Sequence, residues 1–364
     1  DGNQLNGGGG GGSGGCLKIV QSTNLVSDGM CAGCSLNSGS EMNIILGCCA
    51  GSALGAGDRN VFIGCGAGTK TTSGAYNVFL NQAGECNVGG GCNTLIGMRA
   101  GYKNTSGCHN HFIGYYAGCN NTTGCCNISI GRCALGSSGN ALTGNSNIAF
   151  GAFAGCNMTT GCYNIMLGKE SGVNITTSRH NVIAGCRAGY CLSAADNYNV
   201  FLGACAGYNS CNGANIAIGM FPMTCMGLGS GNVAIGCNAM RGSSNVACNS
   251  GSYNIVFGIQ AALNFTCGGC NIVMGKNAGN CLSCGDSNIF IGQYTALQTT
   301  TGDKNIVIGC NVCTSSATAS CELVIGHGTN RWIIGNSDFN VGIGSTTNPT
   351  SRLTVTGDAC VSGV

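Results

Sequence analysis

Residues 60–76 read NVFIGCGAGTKTTSGAY, and the same pattern starts again at Asn77. The repeat opens with Asn, an apolar residue, a variable residue, a second apolar residue and Gly, as in Asn60 to Gly64. It continues to a small pair, Ala67-Gly68, and ends in a polar stretch. A pattern of this length that recurs along a chain is typical of solenoids, in which each repeat forms one structural turn. We therefore expect a repetitive fold.

About seventeen such repeats follow one another. Eleven of the sixteen intervals between their first residues are 17 residues long, and the others are 16, 16, 18, 20 and 22. The two longest intervals, 127 to 147 and 232 to 254, hold their extra residues in Gly-, Ser- and Asn-rich segments, which we interpret as surface loops. The repeats begin at Asn43, Asn60, Asn77, Asn93, Asn110, Asn127, Asn147, Asn164, Asn181, Asn199, Asn215, Asn232, Asn254, Asn271, Asn288, Asn305 and, with the Asn replaced, Glu322.

Each repeat is predicted to contain one short β-strand directly after its Asn. The first and third residues after Asn60, Val61 and Ile63, point to one face of such a strand, and Phe62 points to the other. β-branched residues between closely spaced glycines favour a strand over a helix. The middle residue is often large and apolar as well, as in Phe62, Phe79, Phe112, Phe201 and Phe290.

Apolar residues on both strand faces predict an assembly of several chains. A thin solenoid buries only the inner face of its strands, and we expect the phenylalanine row to remain uncovered in a single chain. Soluble monomers rarely expose an apolar stripe of that size. The predicted fold class is therefore all-β: a repetitive β-solenoid or β-roll with ~17-residue coils, in an intertwined homotrimeric fibre. Seventeen coils stacked about 4.8 Å apart would make a rod on the order of 80 Å long.

The Asn and Gly of each repeat are expected to be structural residues. The Asn has two interpretations: an inward ladder of stacked amides, or a turn residue that bonds to its own backbone. The Gly four places later ends the strand, and the Ala-Gly pair at the seventh and eighth places predicts a tight corner. Representative pairs are Asn60 and Gly64, Asn110 and Gly114, Asn164 and Gly168, Asn232 and Gly236, and Asn288 and Gly292.

Composition argues against several functional classes. The chain has 67 Gly, 7% charged residues and a net charge of +2 from scattered side chains, so we expect no nucleic-acid partner and no binding to anionic membranes. The sequence has no run of eighteen or more apolar residues, so we predict no insertion into a membrane. Four histidines, His109, His111, His180 and His327, lie in different repeats, and no catalytic set emerges around them. We therefore expect that the chain is not an enzyme and that it has no cofactor and no metal site.

Thirty cysteines are the feature that a fibre explains least. Three CxxC pairs, Cys31/Cys34, Cys267/Cys270 and Cys281/Cys284, raise a zinc-ribbon interpretation, which would leave the rest of the array unexplained. Some cysteines, including members of these pairs, recur in phase and would stack within disulfide distance in adjacent coils. The alternative is that cysteines fill tight turn positions as small residues, as at Cys119, Cys156 and Cys211. The candidates for stacked disulfides are Cys31, Cys48, Cys65, Cys108, Cys125, Cys267 and Cys284.

The domain organisation predicted from these patterns has three parts. Residues 1–42 form a Gly-rich N-terminal linker with a degenerate repeat, Asn24 to Gly33, that would cap the array. Residues 43–330 form the array. Residues 331–364 form a C-terminal transition segment leading to a tip or chaperone domain. The chain opens at Asp1 without Met, which we interpret as a processed product or a fragment.

The repeats resemble those of known fibre proteins. Residues Asn121 to Ile130 and Asn145 to Gly155 look like the arrays of bacteriophage tail fibres and related surface fibres. In such proteins, a segment that resembles Val341 to Pro349 and Leu353 to Asp358 often precedes an endosialidase-type intramolecular chaperone. The core of the repeat is also similar to the heads of trimeric autotransporter adhesins, which are trimeric β-rolls.

Three functions remain open at this point. The first is the shaft of a viral tail fibre, located in the virion, which spaces a tip that binds a host-cell receptor. The second is a cellular adhesin or extracellular filament of the same fold. The third is an ice-binding solenoid, suggested by threonine pairs at Thr71-Thr72, Thr122-Thr123, Thr159-Thr160 and Thr176-Thr177.

Overall fold

The computed structural model describes residues 18–20, 25–37, 40–136, 139–192, 196–243, 249–345 and 347–357. Within these ranges the chain is all-β, a parallel β-solenoid with one strand in each coil of about 17 residues, which confirms the predicted fold class. The Gly tract Gly7 to Gly12 lies outside the described residues, as do Asp358, residues 137–138 and residues 244–248 of the two predicted loops, and the start of the predicted cap at Asn24. No stretch of the described chain forms a helix that could cross a membrane.

The chain divides into two compact halves, Asp1–Asn181 and Val182–Val364. In the N-terminal half, successive strands from β2 to β10 pair in parallel and in register, so that Phe62 lies opposite Phe79 in the next coil. The antiparallel strand β1 pairs with β2. The strands are β1 (Lys18–Val20), β2 (Leu25–Asp28), β3 (Ile44–Leu46), β4 (Val61–Ile63), β5 (Val78–Leu80), β6 (Thr94–Ile96), β7 (His111–Ile113), β8 (Ile128–Ile130), β9 (Ile148–Phe150) and β10 (Ile165–Leu167).

The C-terminal half has the same parallel pairing of strands up to β19, after which the strand direction reverses. Strands β11 to β19 pair in parallel, whereas β20 pairs antiparallel with both β19 and β21. The strands are β11 (Val182–Ala184), β12 (Val200–Leu202), β13 (Ile216–Ile218), β14 (Val233–Ile235), β15 (Ile255–Phe257), β16 (Ile272–Met274), β17 (Ile289–Ile291), β18 (Ile306–Cys310), β19 (Leu323–His327), β20 (Asn330–Gly335), β21 (Val341–Ile343) and β22 (Leu353–Val355).

In the three-residue strands β3–β17, the inward residue is the middle one. The expected uncovered row, Phe62, Phe79, Phe112, Phe201 and Phe290, is fully buried within the chain, so that expectation is wrong. The physical reason is the alternation of side chains along a strand, which places the Asn and the second residue after it on the same face. Because the Asn side chains are buried, the phenylalanines point inward with them, and the first and third residues point outward.

Two further rows complete the interior of each coil. Counting the Asn as position 0, position 7 holds a small residue such as Ala67 or Ala117, and both are fully buried. Position 11 holds a larger buried residue, for example Leu54, Met158 or Ile175. Each coil therefore surrounds its interior with positions 0, 2, 7 and 11, and the core continues from one coil to the next.

Core volume is shared between positions 2 and 8. Where position 2 is Phe112, position 8 is Gly118, and a Cβ added to Gly118 would overlap the phenylalanine ring. Where position 2 is the small Ser129, position 8 is Leu135, and both side chains are buried. In these coils the two positions compensate each other in volume. The same exchange is found in the pairs Ala217 with Met223 and Ala234 with Met240.

Replacing Gly118 by Leu is expected to destabilise the protein, because the added side chain competes with Phe112 for the same volume. Overpacking of this kind costs about 1–3 kcal/mol. The double variant Gly118→Leu/Phe112→Ser recreates the combination found at Ser129 and Leu135, and should recover much of that loss. Urea unfolding of the wild type, both single variants and the double variant measures the coupling; free-energy losses that simply add would contradict a shared volume.

Candidate assembly surface

The Asn side chains at position 0 form a buried ladder. Oδ1 of Asn60 accepts hydrogen bonds from the backbone N–H of Asn77 at 3.0 Å and from its Nδ2 at 3.1 Å. Nδ2 of Asn60 donates to Oδ1 of Asn43 at 3.1 Å and to the carbonyl of Gly74 at 2.9 Å. Both donors and both acceptor sites of the buried amide are satisfied, as burial of a polar group requires. Of the two interpretations of the Asn, the structure has the ladder.

The representative Asn residues all lie in this ladder. Within the N-terminal half, the backbone N–H groups of Asn110 and Asn164 donate to the preceding Asn at 2.9 and 3.1 Å. Within the C-terminal half, those of Asn232 and Asn288 do so at 3.0 and 2.9 Å.

Glu322 ends the ladder in the C-terminal half. Its backbone N–H donates to Oδ1 of Asn305 at 2.9 Å, as an Asn would. Its buried carboxylate accepts from the backbone N–H of Ser315 at 2.7 Å and from the Ser315 hydroxyl. The carboxylate oxygens accept from Ser315 rather than from a following Asn, and the next strand, β20, is antiparallel, so the ladder ends at this coil.

The glycines at position 4 stack on one another between coils. Gly64, Gly114, Gly168, Gly236 and Gly292 have φ angles from +123° to +137°, a conformation that favours glycine. A Cβ on Gly114 would lie 2.8 Å from the carbonyl oxygen of Gly131 in the next coil. Both the backbone angle and the close approach of adjacent coils therefore require glycine here.

A second, shorter amide ladder lies at position 11. Nδ2 of Asn104 donates to Oδ1 of Asn87 at 2.7 Å, and Nδ2 of Asn121 donates to Oδ1 of Asn104 at 2.6 Å. All three side chains are buried. Oδ1 of Asn121 has no hydrogen-bond partner, because the residue that follows it in the stack is Leu142. Sequence reasoning missed this ladder, although the spacing of these three Asn residues, 17 each time, was a usable signal.

The structure bonds one of the candidate cysteine pairs. Cys267 and Cys284 form a disulfide between adjacent coils, with their Cα atoms 4.4 Å apart. This bond takes one cysteine from each of two CxxC pairs, which removes the four-thiol set of a zinc ribbon. The other candidates are free thiols: Cys31, Cys48, Cys65, Cys108 and Cys125.

Several free cysteines act as hydrogen-bond acceptors at position 15. Sγ of Cys125 accepts from the backbone N–H of Cys108 at 3.2 Å, and Sγ of Cys162 accepts from that of Asn145 at 3.3 Å. Elsewhere a carboxylate takes this role, since Oδ1 of Asp303 accepts from the N–H of Asp286 at 2.8 Å. The sulfur atoms thus occupy a turn position that suits a small acceptor, as in the small-residue interpretation.

Two thiols are held in the protonated form. Burial raises the pKa of Cys119 to about 11. A hydrogen bond with the adjacent Cys49 thiol raises the pKa of Cys48 to about 11. Since the thiolate is the nucleophile and the metal ligand, neither group is activated at neutral pH.

Two outward rows of apolar side chains cover the sheet. From β3 to β18, the first and third strand positions are apolar except at Thr94 and His111. We call this set the outer face, formed in the N-terminal half by β3–β10 and in the C-terminal half by β11–β18. Its most exposed members are 36–41% accessible: Ile44, Ile63, Ile113, Ile130, Phe150, Ile255, Met274, Ile291 and Ile306.

The titratable side chains are dispersed rather than clustered. His109 and His111 lie in adjacent coils, and His180 and His327 lie in others. Among the described residues, no group of three His, Cys, Asp or Glu side chains is placed to hold a metal ion.

Comparison with protein-family models, with curated proteins and with solved structures finds no match to this chain. The outer face is therefore the most extensive candidate site.

Replacing Asn288 by Asp is expected to destabilise the protein by about 3 kcal/mol at pH 7, because a buried carboxylate would face two acceptors, Oδ1 of Asn271 and the carbonyl of Gly302. Burial raises the pKa of such a carboxyl above its unfolded value of about 3.9. The loss should therefore be small below pH 4 and grow as the pH rises through the folded-state pKa. Urea unfolding at several pH values measures it.

The matched control is Asn264→Asp, because Asn264 is an Asn in the same half of the chain whose side chain is exposed. This variant should differ little from the wild type at any pH. An equal effect of both substitutions would contradict the role of the buried ladder.

Cys119 is expected to react about 100-fold more slowly with iodoacetamide in the folded protein than in the unfolded chain at pH 8. Raising the pKa from 9.0 to about 11 lowers the thiolate fraction by that factor. Peptide mass spectrometry after timed labelling measures the rate, with the exposed Cys126 as internal reference. Equal folded-state rates for the two cysteines would contradict the protonated, buried state of Cys119.

Proposed function

We propose that this chain is a shaft segment of a homotrimeric fibre, and that the fibre is a viral tail fibre of the bacteriophage kind. The shaft would hold a receptor-binding tip at a distance from the particle. The observation that carries the proposal is the outer face, whose apolar side chains remain accessible in a single chain. The resemblance of the repeats to tail-fibre arrays supports the viral assignment.

The outer face is suited to contact with identical copies. Within each half the strands of successive coils pair in register and present their outward residues at a constant spacing, so that copies aligned in parallel would match there. The face lacks charged side chains, whose desolvation would oppose association. Bringing such faces together buries apolar surface, worth about 25 cal/mol per Å². In a trimer around a common axis, the outer face of each copy would contact the two other copies.

The interior is suited to a mechanical role. Backbone hydrogen bonds join each coil to its neighbours outside the strands as well, for example from Gly51 N–H to the Ala67 carbonyl at 2.8 Å and from Ala53 N–H to the Thr69 carbonyl at 3.1 Å. Together with the Asn ladder, these bonds resist both separation and sliding of coils. Such a segment would hold a tip at a fixed distance from the particle, a role that needs no catalytic residues.

The ice-binding alternative has little support in the position of the threonines. Thr71 is fully buried, so its pair with Thr72 cannot form a flat exposed rank. The hydroxyls of Thr122 and Thr159 donate to carbonyls of the next coil, at 3.3 Å to Leu142 and 3.1 Å to Thr176. These hydroxyls serve the contacts between coils.

Light scattering of the purified chain is expected to give three times the chain mass of 36.2 kDa. The variant Ile113→Lys/Ile130→Lys places charges on the outer face and should be monomeric, with unchanged β-sheet circular dichroism. The control Val88→Lys alters an apolar residue that is 43% exposed away from the strands, and should remain trimeric. A monomeric wild type, or equal effects of the two variants, would overturn the trimer.

Immunogold electron microscopy tests the viral assignment separately. Antibodies to the chain should label the tails of virus particles. Labelling of uninfected cell surfaces, with trimers retained, would instead favour a cellular adhesin or extracellular filament.

A further inference from the structure

A groove of about 470 Å³ opens on the N-terminal half, with Gly136 and Gly139 among its lining residues. Its volume lies within the range of small-molecule sites. It combines cationic and aromatic side chains in a protein with few charges. Its principal lining residues are Arg99, Tyr102, Lys103, Tyr115, Tyr116 and Cys119.

Arg99 is held in place by aromatic contacts. Its guanidinium lies 5.3 Å from the ring centroid of Tyr102 and 5.3 Å from that of Tyr116. It also donates a hydrogen bond to the Tyr116 hydroxyl. A guanidinium has five donor hydrogens, so this arrangement fixes its plane while leaving donors for a ligand.

The positive charge of the groove is not neutralised by neighbouring acids. No described carboxylate lies within ion-pair distance of Arg99 or Lys103, and none of the described lining residues is acidic. Burial raises the pKa of the Cys119 thiol, while the charges of Lys103 and Arg99 act in the opposite direction, so both cations lie near this lining residue. An anionic group would therefore find two cations without a competing carboxylate.

We infer that this groove binds a carboxylate-bearing saccharide. A planar guanidinium matches a carboxylate with two parallel hydrogen bonds, and Lys103 adds a second charge at the same site. The Tyr115 ring, which is 47% exposed, offers an apolar surface to one face of a sugar ring. A small inorganic anion would leave this ring unused, and a neutral sugar would leave both cations unpaired.

The saccharide site goes beyond the mechanical role proposed above and does not depend on it. A shaft without a groove ligand still spaces a tip, and a monomer could still bind an acidic sugar. For the same reason, the oligomeric state of each variant below is measured alongside binding.

The test is isothermal titration calorimetry of the full chain with a trisaccharide of galacturonic acid. We expect binding at one site per chain that weakens as salt is raised. Lys103→Gln should lower the affinity roughly tenfold, since it removes one charge-assisted contact. Arg99→Gln should lower it further. Lys103 is exposed, so its variant should fold even if the aromatic stack of Arg99 does not tolerate change.

Two matched controls lie outside the groove. Lys70 occupies the same coil position as Lys103, and Arg59 stacks on Tyr76 at 5.2 Å much as Arg99 stacks on its tyrosines. Lys70→Gln and Arg59→Gln should bind the trisaccharide as the wild type does. The inference is overturned by absent binding, by equal loss in these controls, by equal affinity for a neutral galactose trisaccharide, or by equal competition from inorganic phosphate.

Discussion

A buried Asn side chain that takes hydrogen-bond partners from the Asn residues of both neighbouring coils is the constraint on which this fold depends. The Asn at position 0 donates to one neighbour and accepts from the other, as Asn60 does between Asn43 and Asn77. Leaving one partner out would strand polar atoms in the interior, at a cost of about 1–3 kcal/mol for each group. Each coil therefore fixes the register of the next, and the strands, the glycine stack and the apolar core follow from that register.

Much of the fold could be predicted from the sequence because these constraints are local and repeated. The period and the strand leave a signal in every repeat, and the glycine at position 4 does so in every repeat but one, where Asn81 stands instead. The orientation of the strand was predicted incorrectly, since size suggested that rings such as Phe62 required cover from another chain. The position of the Asn determines this orientation. Residues two apart on a strand lie on the same face, so the ring of Phe62 points inward together with the buried Asn60 side chain.

Other features depend on pairs of residues that no single repeat reveals. The exchange between Phe112 with Gly118 and Ser129 with Leu135 is a property of packed volume, and it is recognised only once both positions are known to share an interior. The cysteines are similar. Cys267 and Cys284 have the same spacing as Cys108 and Cys125, yet one pair is bonded and in the other a thiol accepts a backbone hydrogen bond. The groove around Arg99 likewise combines residues from successive coils.

The carboxylate of Glu322 marks the end of the Asn ladder. A coil with Asn at position 0 can be inserted or removed upstream, because each such coil presents the same donors and acceptors to its neighbours. The coil that carries Glu322 is different: its backbone N–H donates to Oδ1 of Asn305, and its carboxylate accepts from Ser315 instead of from a following Asn. Gene duplication or deletion within the repeats can thus alter the number of coils without altering either terminus. Length becomes a quantity that evolution can adjust in steps of one coil, while the coil with Glu322 and the antiparallel strand β20 that follows it stay the same.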